Sequence, residues 1–193
     1  MTLPAAFISR PVAHRALHDR SGRRPENSLA AVRAAVERGY GIEIDLQPSS
    51  DGVPMVFHDP TLRRLTGEEG PVRDRTAAEL GRLPLLGGSE RIPTLREVLD
   101  LVGGRVPLLV EIKDQDGRMG ADVGPLEEAA AEVLRRYDGP VAVMSFNPHS
   151  TAAMAASAPG LPRGLTTDAF RPQDWPGLPP EVCERLRGIP DYD

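Results

Sequence analysis

Four short segments of the 193-residue chain place ionisable side chains where a strand would end. In Ile42-Glu43-Ile44-Asp45-Leu46 the side chains of an extended chain alternate. Glu43 and Asp45 fall on one face and three aliphatic residues on the other. Two carboxylates on a face flanked by helices are costly to bury unless something neutralises them. A hard divalent cation, which takes carboxylate oxygens at about 2.0–2.6 Å, is the natural remedy. In Leu109-Val110-Glu111-Ile112-Lys113 a third carboxylate, Glu111, shares its face with Lys113. Val12-Ala13-His14 ends on His14 and is followed by Arg15. Met55-Val56-Phe57-His58 ends on His58 and is followed by Asp59.

Brought to one place, these groups have a chemical logic. Glu43, Asp45 and Glu111 around Mg²⁺ or Ca²⁺ make a Lewis acid that polarises a phosphoryl oxygen. Arg15 and Lys113 hold the remaining phosphate charge. Two imidazoles with ordinary pKa values of about 6.5 serve as base and acid near neutrality. The set suits cleavage of a phosphodiester. Each residue alone has a plainer reading: a structural histidine, an exposed Glu-x-Asp pair on an edge strand, a surface Glu111/Lys113 ion pair. Their joint position at four strand ends favours chemistry.

The elements that must position them follow from local patterns. Pro11–His14, Gly41–Leu46, Pro54–His58, Val106–Ile112, Val141–Phe146 and Arg163–Thr167 read as strands. Ser28 caps a helix over 29–38, closed by Gly39. Thr76-x-x-Glu79 and Thr94-x-x-Glu97 are capping boxes, the second opening a helix with Leu95, Val98, Leu99 and Val102 on one stripe. Pro125 begins a further helix, 148–157 forms another, and a short one is expected near 180–187. Strand–helix alternation predicts a parallel α/β fold. With no G-x-G-x-x-G and no P-loop lysine, a nucleotide-binding open sheet is disfavoured. Polar residues late in successive strands suit a (β/α)₈ TIM-type barrel instead. Residues 59–92 read as an insertion after the third strand, within a single domain over 1–193.

Composition narrows the partners. Net charge is −5 and aromatics are 4%, which argues against nucleic acid. The single cysteine, Cys183, excludes an intrachain disulfide and a cysteine-based zinc framework. No apolar run approaches the roughly 20 residues of a membrane span, so stable membrane insertion is not expected. The N-terminus has no signal-peptide core, and the expected location is the cytoplasm. Oligomerisation is left open.

At these residues the chain resembles the glycerophosphodiester phosphodiesterase family. The matching stretches are Ala13-His14-Arg15, Pro25-Glu26-Asn27-Ser28, Ile42-Glu43-Ile44-Asp45, Asp51-Gly52, Val56-Phe57-His58-Asp59, Ile92-Pro93-Thr94-Leu95, Glu111-Ile112-Lys113 and Ser145-Phe146, in the family's order. The resemblance implies a (β/α)₈ barrel with a small insertion. It implies Glu43, Asp45 and Glu111 as metal ligands, His14 and His58 as the acid–base pair, and Arg15 and Lys113 on phosphate. Asn27 is implied near the substrate, and Glu26 in support. The implied reaction is Mg²⁺- or Ca²⁺-dependent hydrolysis of a small-molecule glycerophosphodiester to glycerol 3-phosphate and an alcohol. A glycerol hydroxyl attacks phosphorus through a cyclic phosphate. Alternatives are a phospholipase D-like hydrolase of lysophospholipids and a non-catalytic phosphate- or metal-binding relative.

The sequence departs from the family in three places. Ala16 stands where the family has glycine, and Ser28 where it has threonine. The last two barrel strands, one with a Trp-Thr pair and one with a Thr-Asp pair, have no counterpart after residue 168, and Trp175 in a proline-rich loop is a poor substitute. The expectation is therefore a barrel lacking its last two strands, as in a fragment of a longer protein.

Overall fold

The computed structural model describes residues 3–19, 21, 23–175 and 177–187. Its strands are β1 (Val12–Ala13), β2 (Gly41–Pro48), β3 (Pro54–Val56), β4 (Leu108–Ile112), β5 (Val141–Ser145) and β6 (Arg163–Leu165). Its helices are α1 (Leu29–Glu37), α2 (Arg63–Thr66), α3 (Ala77–Leu80), α4 (Leu95–Val102), α5 (Pro125–Leu134), α6 (Pro148–Ser157) and α7 (Pro180–Arg187). Five strands run parallel in the order β1-β2-β4-β5-β6, and helices α1, α4, α5 and α6 follow or precede them as crossovers. Among the described residues β1 and β6 each pair on one side only, so the sheet is an open arc of the barrel type.

Local chemistry sets these elements. Ser28 Oγ accepts the Ala31 N–H and starts α1. Thr76 and Thr94 make the expected reciprocal capping boxes with Glu79 and Glu97. Gly103, at φ 54°, ends α4 in the left-handed conformation. The aliphatic faces of β2, β4 and β5 supply Ile42, Ile44, Leu46, Val110, Ile112 and Val143 to the main core. Leu95, Val98 and Val102 of α4 and Leu126 and Ala130 of α5 pack with them. The opposite face of β2 is free to carry Glu43, Asp45 and Gln47, all buried.

One strand differs from expectation. Pro54–His58 was expected to be a barrel strand like the others. Only Pro54–Val56 is extended, and it folds back antiparallel on β2, with Leu46 opposite Val56. The connection explains it. Only residues 49–53 lie between β2 and β3. A parallel crossover takes about a dozen residues or more. Ser49 Oγ donates to Asp51 Oδ1 at 2.6 Å and accepts the Val53 N–H at 2.8 Å, while Gly52 takes φ 78°, giving a tight hairpin. The parallel path thus has five strands rather than six. Residues 59–92 then pack around a core of their own, with Met55, Phe57, Leu62, Val72, Leu80, Leu85 and Ile92 buried together.

Candidate active site

Register builds the acidic cluster. In the parallel β2–β4 pair Asp45 is the direct neighbour of Glu111, and Glu43 lies two residues back on the same face. Oxygens of Glu43, Asp45 and Glu111 all lie within 4.8 Å of one another. The chain after β1 wraps onto this cluster. The Arg15 N–H donates to Glu43 Oε2 at 2.8 Å, and the Ala16 N–H donates to the Glu43 carbonyl at 2.9 Å. This wrap takes Arg15 and Ala16 to φ 53° and 62°. The glycine expected at position 16 would reach that conformation without strain; alanine does not.

Neutralisation of the cluster is incomplete. Lys113 Nζ stands 2.5 Å from Glu111 Oε1 and 2.7 Å from Asp45 Oδ1, and Arg15 Nε stands 3.8 Å from Asp45 Oδ2. Glu43 Oε1 is buried with no hydrogen-bond partner among the described residues. Burial, with the adjoining Asp45 charge, pushes the Glu43 carboxyl up to about 7. An all-oxygen set with an orphaned buried oxygen and excess negative charge fits a hard divalent cation. Glu43, Asp45 and Glu111 would hold it.

Asn27, expected beside substrate, is bonded to Asp45. It is buried, at φ 57°, and its Nδ2 donates to Asp45 Oδ2 at 2.8 Å. It fixes the carboxylate and does not itself line the cavity.

The histidines come from two different places. His14 follows β1, one step past the Ala13–Ile42 pairing. Its pKa is lowered, by burial first and then by the Arg15 charge. His58 follows the antiparallel β3, which carries it back to the same mouth. The Phe57 N–H donates to the Asp45 carbonyl at 3.0 Å, and Gln47 Nε2 donates to the His58 carbonyl at 3.1 Å. His58 Nδ1 lies 2.7 Å from Asp59 Oδ1, a contact that orients the ring with Nδ1 as donor.

His14, Arg15, His58, Glu111 and Lys113 line one wall of a cavity of about 940 Å³. Met119, Met144, Phe146, Trp175 and Leu178 line the same cavity. Trp175 does sit outside regular structure, as expected. It nevertheless packs on Phe146 and Phe170, with ring centroids 5.2 and 5.3 Å away, and its Nε1 donates to Asp168 at 2.9 Å.

Sequence reasoning missed three participants. Arg64 in α2 holds both Glu26 and Asp59. Thr166 lines the cavity with its hydroxyl buried and without a hydrogen-bond partner among the described residues. Asn147 donates to Asp114 Oδ1 at 2.7 Å, steadying the loop after β4. Arg64 gave a faint signal, as a basic residue five positions beyond Asp59. A lone threonine at a strand end gave none.

The sequence profile of the Glycerophosphoryl diester phosphodiesterase family matches residues 14–182. A glycerophosphodiester phosphodiesterase of Caldanaerobacter subterraneus subsp. tengcongensis is 36% identical over 162 residues, 78% of this chain and 65% of that protein. Glycerophosphodiester phosphodiesterase 1 of Bos taurus is 32% identical over 148 residues, 71% of this chain and 42% of its own length. The chain thus spans less than two thirds of these relatives. Among solved structures, an Oleispira antarctica phosphodiesterase in complex with the product sn-glycerol-3-phosphate superposes with TM-score 0.74 at 30% identity, over 94% of this chain and 73% of that one. Profile, identity and superposed barrel fold agree with the geometry of the acidic cluster, and the chain belongs to the glycerophosphoryl diester phosphodiesterase family.

Proposed function

We propose that the protein hydrolyses glycerophosphodiesters to glycerol 3-phosphate and an alcohol, with a divalent cation, Mg²⁺ or Ca²⁺. One observation carries this reading. A cluster of three buried carboxylates with an orphaned oxygen reaches the cavity through Glu111, beside two imidazoles and two cationic side chains that line it. The cation held by Glu43, Asp45 and Glu111 would supply Lewis-acid charge at a phosphoryl oxygen. Arg15 and Lys113 bind the other phosphate oxygens. His14, kept neutral by its lowered pKa, takes the proton of the attacking glycerol hydroxyl. As that oxygen bonds to phosphorus and the bond to the alcohol breaks, His58 gives its proton to the leaving oxygen. Water then opens the cyclic phosphate with the two imidazoles in exchanged roles, which restores both.

The cavity's apolar wall of Phe146, Trp175, Met119 and Met144 supports a second reading, a lysophospholipid whose acyl chain lies on that side. The test is release of glycerol 3-phosphate from glycerophosphocholine and of choline from lysophosphatidylcholine, each with Mg²⁺, Ca²⁺ and chelator. Metal-dependent release of glycerol 3-phosphate supports the first reading. Choline from the lysophospholipid alone supports the second. Binding of cation with no turnover of either rejects both in favour of a non-catalytic relative.

A further inference from the structure

The insertion lines the mouth with Pro60, Thr61, Pro71 and Arg73, and Arg64 ties it to two side chains of the cavity wall. Arg64, in the short helix α2, uses all three guanidinium nitrogens on two carboxylates. Its Nε donates to Asp59 Oδ2 at 2.6 Å, and its Nη2 donates to Asp59 Oδ1 at 2.8 Å. Its Nη1 donates to Glu26 Oε2 at 3.0 Å and Nη2 to Glu26 Oε1 at 2.7 Å. Each carboxylate grips a side chain of the cavity wall. Asp59 holds His58 Nδ1 at 2.7 Å, and Glu26 accepts Arg15 Nη1 at 2.9 Å. The chain His58–Asp59–Arg64–Glu26–Arg15 therefore joins the imidazole from β3 to the guanidinium from β1 across two elements that do not pair with each other. We infer that Arg64 is a positioning residue, which sets the separation and orientation of His58 and Arg15 and so couples the insertion to the reaction. This rests on the reading of His58 as the group that protonates the leaving alcohol.

The planar fork matters more than the charge. A lysine ammonium is a point donor and does not span both carboxylates in this way. Arg64 is partly exposed, so its replacement empties no core. Partners that orient a reacting group from behind typically change activity about 10–100-fold. Arg64→Lys and Arg64→Ala are each expected to lower kcat within that range on glycerophosphocholine. The loss is smaller on the p-nitrophenyl ester of glycerol 3-phosphate, whose leaving group departs without a proton. Combined with Asp59→Asn, the Arg64 change adds less than it costs alone, because the His58 arm is already cut and only the Glu26–Arg15 arm remains. Arg63→Ala, which removes an exposed pair with Glu69, is the control and leaves activity unchanged. Full activity in Arg64→Lys, equal loss on both esters, or losses that multiply with Asp59→Asn would each overturn the inference.

A second readout does not depend on turnover. The His58 Nδ1–H proton, held by Asp59, is expected as a downfield resonance in the starting protein and displaced in Arg64→Lys. If the starting protein shows no turnover but the resonance behaves this way, the brace stands and the proposed reaction falls. An unchanged resonance removes the brace as well.

Discussion

Two groups of carboxylates, Glu26 with the half-buried Asp59 and the buried Glu43, Asp45 and Glu111, are in opposite electrostatic conditions. Glu26 is gripped by Arg64 and Arg15, and Asp59 by His58 and Arg64. Burial pushes both carboxyls up, but these bonds and charges outweigh it, and Glu26 is held down at about 2. Glu43, Asp45 and Glu111 meet Lys113, the Arg15 backbone N–H, the Asn27 amide and a more distant Arg15 guanidinium, and there burial wins, raising Glu43 to about 7. The first group is a finished brace. The second keeps a buried carboxylate oxygen with no partner among the described residues, a state that a bound cation would relieve, so charge balance sets the two groups apart.

The largest expected effect probes the far end of the brace. His58→Ala should lower the rate about 10²–10⁴-fold if His58 protonates the leaving alcohol; steady-state kinetics on glycerophosphocholine checks it. Asp45→Asn should cost at least about 10²-fold, since a ligand matters no less than the partners behind it. It should also abolish the response to added cation, which Glu26→Gln should retain. For Glu26→Gln the expected loss is stability, about 1–3 kcal/mol by denaturant unfolding, because two guanidinium groups lose a charged acceptor.

The two groups should also titrate in opposite senses. In the metal-free protein Glu43 keeps its proton to about 7, whereas the unfolded carboxyl releases it near 4.5. The folded state binds more protons in that window, so this stabilising contribution is lost as pH rises through about 7. Glu26, held near 2 against 4.5 unfolded, contributes stability above 4.5 that is lost as pH falls toward 2. Thermal unfolding across pH should show both limbs, and Glu43→Gln should flatten only the upper one. The smallest effect is at Ala16. Ala16→Gly relieves a left-handed φ but loses a buried methyl and loosens the unfolded chain, for a net change within about 1 kcal/mol.

Much of this site was legible before the fold. Alternation in β2 placed Glu43 and Asp45 on one face, and a second alternating strand supplied Glu111 and Lys113. Both patterns depend only on the two-residue period of a strand. The hairpin at 49–53 was legible in principle, since its length forbids a parallel crossover, yet strand pattern alone does not report direction. The bond of Asn27 to Asp45 and the link from Arg64 to Glu26 were not legible. Both depend on how a loop and a four-residue helix pack against distant elements, and no periodicity encodes that. The apolar wall was hidden for the same reason: Trp175 reaches Phe146 through a segment with no regular pattern.

Calorimetric titration of the metal-free protein with Mg²⁺ and with Ca²⁺, in buffers of different ionisation enthalpy, examines the acidic cluster itself. One cation per chain is expected, with net proton release of about half a proton near pH 7 that shrinks as pH rises, because Glu43 must ionise to bind. Asp45→Asn should abolish the heat. Absence of saturable binding, or binding that survives Asp45→Asn, would contradict the assignment of Glu43, Asp45 and Glu111 as a cation site.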